Sequence, residues 1–338
     1  MQAWQLTGIG REQLERVTLP TPEPAAGEVL VRFEAASVNP RDSQIIAGQF
    51  TSDLPFPLVP LSDGAGTVAA VGAGVTRVAV GDRVAPTFFP DWIDGEALAG
   101  ERRRSGGLES AGVLREFGVY PQHALVRGPA HLSAAELACY PCAGVTAWTA
   151  LVERSAVGAG SWVLIQGTGG VAMAALQLAR GLGAYSIVLS SSDERLATAR
   201  ELGADATINY RRNPEWGAEA HAIAGHGVDA VVEIGGAGTL AQSLAAIRHG
   251  GHVNVIGYMA GPALDITVFP LIIRSANLHG IAAGHRRSFE ALLSLVEREQ
   301  LRPVIGERVP FAEAPSALAL LDAGGVVGKV VIDYPAAP

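Results

Sequence analysis

Gly167-Thr168-Gly169-Gly170-Val171-Ala172 is the stretch on which the reading of this chain turns. The residues before it, Trp162-Val163-Leu164-Ile165-Gln166, form an apolar, β-branched run that reads as a buried parallel strand. The residues after it, Met173-Ala174-Ala175-Leu176-Gln177-Leu178-Ala179-Arg180, are rich in Ala and Leu at helical spacing. A G-x-G-x-x-A pattern standing alone is an ordinary strand–helix turn; strand, glycine turn and helix together make it a dinucleotide site. Gly167 permits the turn, Gly169 lets the backbone approach a pyrophosphate, and the small Ala172 lets the helix pack close to the strand. The free N–H groups and positive dipole end of the helix, with Thr168, Gly170 and Val171 in the same loop, then face the phosphates.

The surrounding sequence repeats this alternation. Strands are expected at 162–166, 186–190, 206–210, 229–234, 252–256 and 278–282, with helices at 170–181, 193–202, 214–224 and 238–248. That is an α/β domain with a six-stranded, doubly wound parallel sheet, binding its ligand at the switch point. Upstream, Ser133-Ala134-Ala135-Glu136 matches a capping box, and a second helix is expected over Thr146–Leu151. Residues 1 to about 125 are read as mostly β. Glu28–Ala35, Gly66–Gly72 and Asp82–Ala85 are short strands punctuated by glycines, which suits a barrel-like module. The irregular stretch between Phe88 and Phe117, holding Asp91-Trp92-Ile93-Asp94-Gly95, is a long loop. After about residue 284 come a helix over Ser288–Glu299 and a β-rich tail ending in Lys329-Val330-Val331-Ile332, expected to return to the first module. The expected division is 1–142 with 285–338 for the β-rich module and 143–284 for the dinucleotide domain, with the active site in the cleft between them.

The 338 residues suffice for two such domains. The chain is 49% hydrophobic and 17% charged, which excludes a disordered chain. A net charge of −8 argues against nucleic acid or an anionic membrane as partner. The run Arg102-Arg103-Arg104 is short and flanked by acids, so it reads as a solvated loop. Two cysteines, Cys139 and Cys142, leave no disulfide framework and no second pair for a zinc site. No apolar run reaches roughly 18 residues, and Met1-Gln2-Ala3-Trp4 does not open a signal peptide, so a cytoplasmic protein is expected.

Several further motifs together resemble one family. They are Val38-Asn39-Pro40-Arg41-Asp42, Pro60-Leu61-Ser62-Asp63-Gly64-Ala65-Gly66-Thr67-Val68, Val80-Gly81-Asp82-Arg83-Val84, Cys142-Ala143-Gly144-Val145-Thr146-Ala147-Trp148, Leu202-Gly203-Ala204-Asp205 and Gly328-Lys329-Val330-Val331. With the glycine turn they make the chain similar, nearly end to end, to the medium-chain dehydrogenase/reductase superfamily, on its zinc-lacking branch of quinone oxidoreductases and enone reductases. The resemblance implies a GroES-like catalytic domain beside a Rossmann domain. It also implies a homodimer joined through the strand near Leu278-His279-Gly280-Ile281.

The departures from the family pattern bear on chemistry. Zinc-dependent members hold their catalytic metal with Cys, His and Cys; here Asn39, Ser62 and Cys142 stand at those positions. The stretch matching the structural zinc loop, about 90–115, has no cysteine. A rebuilt site from Cys142, Asp63 and Asp42 is the alternative to no zinc at all. Without a Lewis acid, alcohol oxidation is harder, while hydride addition to a conjugated acceptor stays feasible.

For the cofactor, the acidic residue that marks NAD use falls at Ser191, inside Ser190-Ser191-Ser192-Asp193-Glu194-Arg195. A neutral hydroxyl does not repel a 2′-phosphate and Arg195 is placed to pair with it, so NADP(H) is expected over NAD(H). The other reading has Asp193 capping the next helix and Arg195 solvated. Tyr210 matches a position that touches the same phosphate in related quinone reductases, and Thr146 one near the nicotinamide. Gly235, Gly257 and Gly284 lie at strand ends, where a backbone amide contacting ribose or ring and a turn glycine are readings that coexist. Lys329 either reaches the cofactor or is solvated at the surface.

Catalytic candidates are Asn39, Asp42, Asp63 and Trp92. Asn39 either donates its amide to a substrate carbonyl or is a turn residue before Pro40. Asp42 and Asp63 order water or Arg41, or are structural. Trp92 walls a substrate pocket or packs within its loop. The expectation is a zinc-independent enzyme that passes hydride from NADPH to a quinone or α,β-unsaturated carbonyl. An alcohol dehydrogenase or ketone reductase and a non-catalytic nucleotide-binding protein are the alternatives.

Overall fold

The run Trp162–Gln166 is buried from Val163 onward on both faces, as a central parallel strand must be. Gly167 follows at φ 78°, in the left-handed region, and turns the chain into a helix that starts at Gly170. The structure, a computed structural model, describes residues 1–335 apart from 52, 99, 101–103, 262 and 264–266. Most of the Arg102–Arg104 run and part of the 258–275 segment therefore lie outside the described residues.

In chain order the regular elements begin with β1 (Gln2–Leu6), β2 (Leu14–Thr18), β3 (Glu28–Ser37), α1 (Pro40–Ile46), β4 (Asp63–Val71) and β5 (Arg83–Pro86). Next come β6 (Phe117–Pro121), β7 (Leu125–Arg127), α2 (Ala134–Leu137) and α3 (Val145–Trp148). The alternating part is β8 (Trp162–Gln166), α4 (Gly170–Gly181), β9 (Tyr185–Ser190), α5 (Asp193–Glu201), β10 (Ala206–Asn209), α6 (Trp216–Ile223), β11 (Val228–Glu233), α7 (Leu240–Ala246), β12 (Ile247–Val255), α8 (Val268–Arg274) and β13 (Asn277–Gly280). The chain ends with α9 (Arg286–Arg298), β14 (Ile305–Pro310), α10 (Ala314–Ala323) and β15 (Lys329–Asp333).

The chain divides into two compact units, Met1–Val145 with Gly284–Pro338, and Thr146–Ala283. In the second unit a six-stranded sheet runs β10-β9-β8-β11-β12-β13, with every neighbouring pair parallel. Counted from β8, this is the 3-2-1-4-5-6 order of a dinucleotide-binding sheet. The order reverses between β8 and β11, so the switch point lies beyond Gln166 and Glu233. One edge of the sheet is β13. The helix that precedes it in the chain, α8, lies against β12 and α7 and exposes Val268, Phe269, Ile272 and Ile273.

The first unit has a seven-stranded sheet, β14-β15-β3-β4-β5-β7 with β6 on β3, and a two-stranded β1-β2 ribbon. Its core gathers Phe33, Leu6, Ile45, Leu61, Leu114, Leu125 and Phe311. The C-terminal tail does return to this module: β15 pairs antiparallel with β3 at Val331↔Ser37, Ile332↔Ala36 and Asp333↔Ala35.

Two expectations about local structure need correction. The tail is not simply β-rich, because α10 occupies ten of its residues and begins with Pro315 in its first turn, where a missing N–H costs nothing. The helix expected over Thr146–Leu151 is α-helical only in Val145–Trp148. Wider, π-type turns flank it at Tyr140–Gly144 and Thr149–Arg154. Such turns take backbone N–H groups out of the ordinary ladder, and they recur at functional sites.

Candidate functional site

In the second unit the site is built on the end of β8. A Cβ added at Gly167 or Gly169 would meet no atom within 4 Å, so the backbone there is open to a closely approaching ligand. Gly169 caps α4 without any side-chain bond, leaving the first N–H groups of α4 for an anion. Thr168 is buried beside them, and Val171 lies in the first turn. This open cradle suits the pyrophosphate of a dinucleotide.

Beneath the cradle lies a network that the sequence did not disclose. Glu233, fully buried at the end of β11, accepts hydrogen bonds from the Gly235 and Gly236 N–H groups at 2.9 Å, and from Gln166 Nε2 at 2.6 Å. The Thr239 and Ser243 hydroxyls also donate to it. Gln166 Oε1 in turn accepts from the Ile234 and Gly235 amides at 3.0 and 3.1 Å. The two strands at the switch point are thus locked together through side chains. Of the strand-end glycines, Gly235 donates its N–H to Gln166 and Glu233, and Gly257 donates to the Glu233 carbonyl at 3.2 Å. Thr146 is buried at the start of this unit, and Gly284 belongs to the other unit.

At the end of β9, the Arg195 guanidinium donates to the Ser191 hydroxyl at 3.0 Å. Arg195 Nε is buried with no partner, and among the described residues Arg195 makes no ion pair. Ser192, not Asp193, caps α5, accepting from the Arg195 N–H at 3.3 Å. Asp193 instead accepts from Asn209 Nδ2 at 2.7 Å and pairs with Arg212. Tyr210, 43% exposed, hangs on the same turn, its N–H bonded to the Ser190 carbonyl at 3.2 Å.

In the first unit the polar candidates collect around the start of α1. Asn39 is the N-cap of α1, and Asp42 accepts its backbone N–H at 2.8 Å. Lys329 is neither solvated nor exposed; at 5% exposure its ammonium donates to the Val38 carbonyl at 2.7 Å and to Asn39 Oδ1. Because an ammonium only donates, this contact fixes the Asn39 carboxamide with its oxygen toward Lys329. Nδ2 is then the remaining donor; it is buried, makes no hydrogen bond within 3.5 Å, and lies close enough to Asp63 to help hold that carboxyl down. Both oxygens of Asp63 are engaged, one by the Ser62 hydroxyl at 2.7 Å and the other by the Cys142 N–H at 3.0 Å, which the wide turn releases. Arg41 does not bond Asp42 closely: it donates to Ser105 and Gly106 and lies over Phe88.

Burial pushes the Asp63 carboxyl up, and the Lys329 ammonium is the chief opposing influence. Burial and then Asp63 push the Cys142 thiol far above its ordinary range, and Cys139 rises to about 12. Zinc requires a thiolate and free lone pairs. A carboxylate with both oxygens engaged and an ammonium already on Asn39 do not fit it. Among the described residues no three His, Cys, Asp or Glu side chains form a metal-binding group.

Burial also raises the Asp42 carboxyl from 3.8 to about 6, against the pull of Arg41. The folded chain therefore holds this proton more tightly than the unfolded chain. The penalty is absent below about pH 4, grows from there to about pH 6, and stays near 3 kcal/mol above it. Asp42→Asn is expected to stabilise the first unit by about 1–3 kcal/mol at pH 8 and to add nothing at pH 4. Urea unfolding at the two pH values checks this; a loss at pH 8 would show that the carboxylate's cap is worth more than its burial costs.

Trp92 is 6% exposed and held within its loop. Its indole donates to the Gly95 carbonyl at 3.0 Å, and its ring meets Phe89 and His285. The backbone carbonyls of Trp92 and Ile93 accept the first N–H groups of α9.

A β-rich module with a polar cluster, together with a doubly wound domain carrying an open glycine cradle, defines a nicotinamide-dependent oxidoreductase. Residues 25–131 match the alcohol dehydrogenase GroES-like domain, and residues 170–298 the zinc-binding dehydrogenase family. A zinc-type alcohol dehydrogenase-like protein of Schizosaccharomyces pombe is 38% identical, covering 90% of each chain. A crystal structure from Sinorhizobium meliloti 1021, provisionally described as an alcohol dehydrogenase, is 42% identical with a TM-score of 0.93, covering 98% of each chain. A chloroplastic quinone oxidoreductase of Triphysaria versicolor is 31% identical, over 98% of each chain. The chain belongs to the medium-chain dehydrogenase/reductase superfamily. No helix among the described residues is long and apolar enough to cross a membrane.

Proposed function

We propose that this chain is a zinc-independent oxidoreductase that passes hydride from NADPH to a quinone or an α,β-unsaturated carbonyl. The observation that carries the reading is the cluster at the family's metal position, where the Lys329 ammonium holds Asn39 and both Asp63 oxygens are engaged. A conjugated acceptor delocalises the negative charge that hydride addition creates, so it needs hydrogen-bond donors rather than a metal. Asn39 Nδ2 is the donor for the acceptor's carbonyl oxygen, with its orientation fixed by Lys329. The bound nicotinamide supplies the hydride. In an enone the hydride goes to the β-carbon and a proton from water to the α-carbon; a quinone takes the hydride and a proton to become the hydroquinone.

Gly167 to Val171 hold the pyrophosphate, and Ser191, Arg195 and Tyr210 take the 2′-phosphate, which favours NADPH over NADH. Thr146 lies toward the nicotinamide, as the family resemblance implies. The β13 edge and the apolar face of α8 are the surface through which two copies join. The free thiols of Cys139 and Cys142 suit a reducing, cytoplasmic setting.

The test is NADPH consumption by the metal-stripped protein, with a 1,4-quinone, a 2-alkenal, a cyclic enone and a saturated ketone, and NADH in parallel. Turnover of the conjugated acceptors, unchanged by chelator and favouring NADPH, is the expected result. Turnover of the ketone alone, or only after zinc is added, would replace this reading with that of an alcohol dehydrogenase. NADPH binding with no acceptor consumed would leave a nucleotide-binding protein.

A further inference from the structure

The 2′-phosphate residues come from two places, Ser191 and Arg195 after β9 and Tyr210 after β10, and one clamp ties these places together. Asp193 receives Asn209 Nδ2 at 2.7 Å on one oxygen and the Arg212 guanidinium on the other. The turn that carries Arg212 is closed by its own backbone, since the Arg212 and Asn213 N–H groups both donate to the Asn209 carbonyl at 3.0 Å. Asn209 Oδ1 accepts the Arg211 N–H at 3.1 Å, which fixes the turn further. Tyr210 stands inside this turn, and Arg195 two residues beyond Asp193.

Asp193 is the acidic residue nearest the phosphate-binding positions on α5 after Ser191, with Glu194 beside it. Left uncompensated, its charge would repel a 2′-phosphate and compete for the Arg195 guanidinium. In the clamp its charge is matched by Arg212 and its carboxylate is directed to β10, while the Arg195 guanidinium, among the described residues, bonds the neutral Ser191 hydroxyl and no carboxylate. We propose that the Asp193–Asn209–Arg212 clamp determines 2′-phosphate selectivity, by cancelling Asp193 and holding Tyr210 and Arg195 in register. The inference rests on the NADPH reading above. Neither Asn209 nor Arg212 touches the phosphate in this account; both are positioning residues that act through Asp193.

The side chains of Arg212 and Asp193 are 75% and 50% exposed, so substitutions there leave the fold intact. Equilibrium binding of NADPH, NADH, 2′,5′-ADP and 5′-AMP, followed by calorimetry, needs no substrate. Arg212→Ala is expected to weaken NADPH and 2′,5′-ADP about threefold to tenfold, leaving NADH and 5′-AMP within about twofold. Adding Asp193→Asn to Arg212→Ala should restore NADPH binding to within about twofold of the parent. Asn209→Ala should follow Arg212→Ala in direction.

Two failures are distinguishable. If Arg195→Ala leaves the ratio of NADPH to NADH affinity unchanged, the NADPH reading itself falls. If Arg195→Ala lowers that ratio but Arg212→Ala does not, only the clamp falls. Should the loss in Arg212→Ala persist in the double variant, Arg212 is itself a phosphate ligand and the indirect role is overturned.

Discussion

Replacing Lys329 with methionine is expected to destabilise the first unit by about 3–5 kcal/mol. Methionine keeps most of the stem that β15 buries but removes both hydrogen bonds, leaving the Val38 carbonyl and Asn39 Oδ1 without their donor. It also removes the main charge that offsets burial at Asp63. The Asp63 carboxyl then rises further, so the folded state binds a proton that the unfolded state releases, and the loss deepens as pH rises from about 4 toward neutrality. Removing the second charge should help. In the Lys329→Met background, Asp63→Asn is expected to recover about half of the lost stability or more, because a buried pair replaced as a pair costs less than one broken. Guanidinium unfolding of the single and double variants measures both quantities. A single variant as stable as the parent would mean that Lys329 carries no charge of consequence in the cluster.

The second large effect belongs to Glu233. Glu233→Ala removes five hydrogen bonds from a buried site and leaves the Gly236 N–H and the Ser243 hydroxyl with no other acceptor among the described residues, at a cost of about 4 kcal/mol or more. At roughly 2–4 °C per kcal/mol, the melting temperature should fall by about 10 °C or more. Gln166 is the residue before Gly167, so nucleotide binding should weaken as well, and Glu233→Gln should lose much less of both. A melting temperature within about 2 °C of the parent would sink the view that this carboxyl braces the switch point.

The alternating half of the chain was legible because its strands are apolar on both faces and its turns carry glycine. Every expected strand and helix between 162 and 282 has a counterpart. The same property hid Lys329. In a strand buried over its first four residues, as Lys329–Asp333 is, no alternation tells which face a residue takes, so a lysine at its first position reads equally as a cofactor contact or as a solvated group. Glu233 was hidden in a similar way, as a polar residue ending an apolar run, and its partners Thr239 and Ser243 lie in the following segment. The helix cap after β9 was ambiguous for another reason. Ser190, Ser191, Ser192 and Asp193 are all good caps in succession, and only the backbone angles select Ser192. At α1, Asn39-Pro40-Arg41-Asp42 carried both a cap and a proline start, and the catalytic and turn readings of Asn39 converge on that one residue.

The pairing of β15 with β3 has a consequence for how the chain comes to be folded. The first unit is discontinuous, its sheet closed by a strand that lies almost 300 residues after β3 in the sequence, whereas Thr146–Ala283 is continuous. On a ribosome, all six strands of the continuous unit have been made before β15 exists. Until then β3 has β4 on one side but nothing on the other over Ala35–Ser37, an open edge in a half-built sheet. Synthesis that stalls or is truncated within residues 284–328 therefore leaves the nucleotide-binding half complete in sequence and the GroES-like half exposed to aggregation.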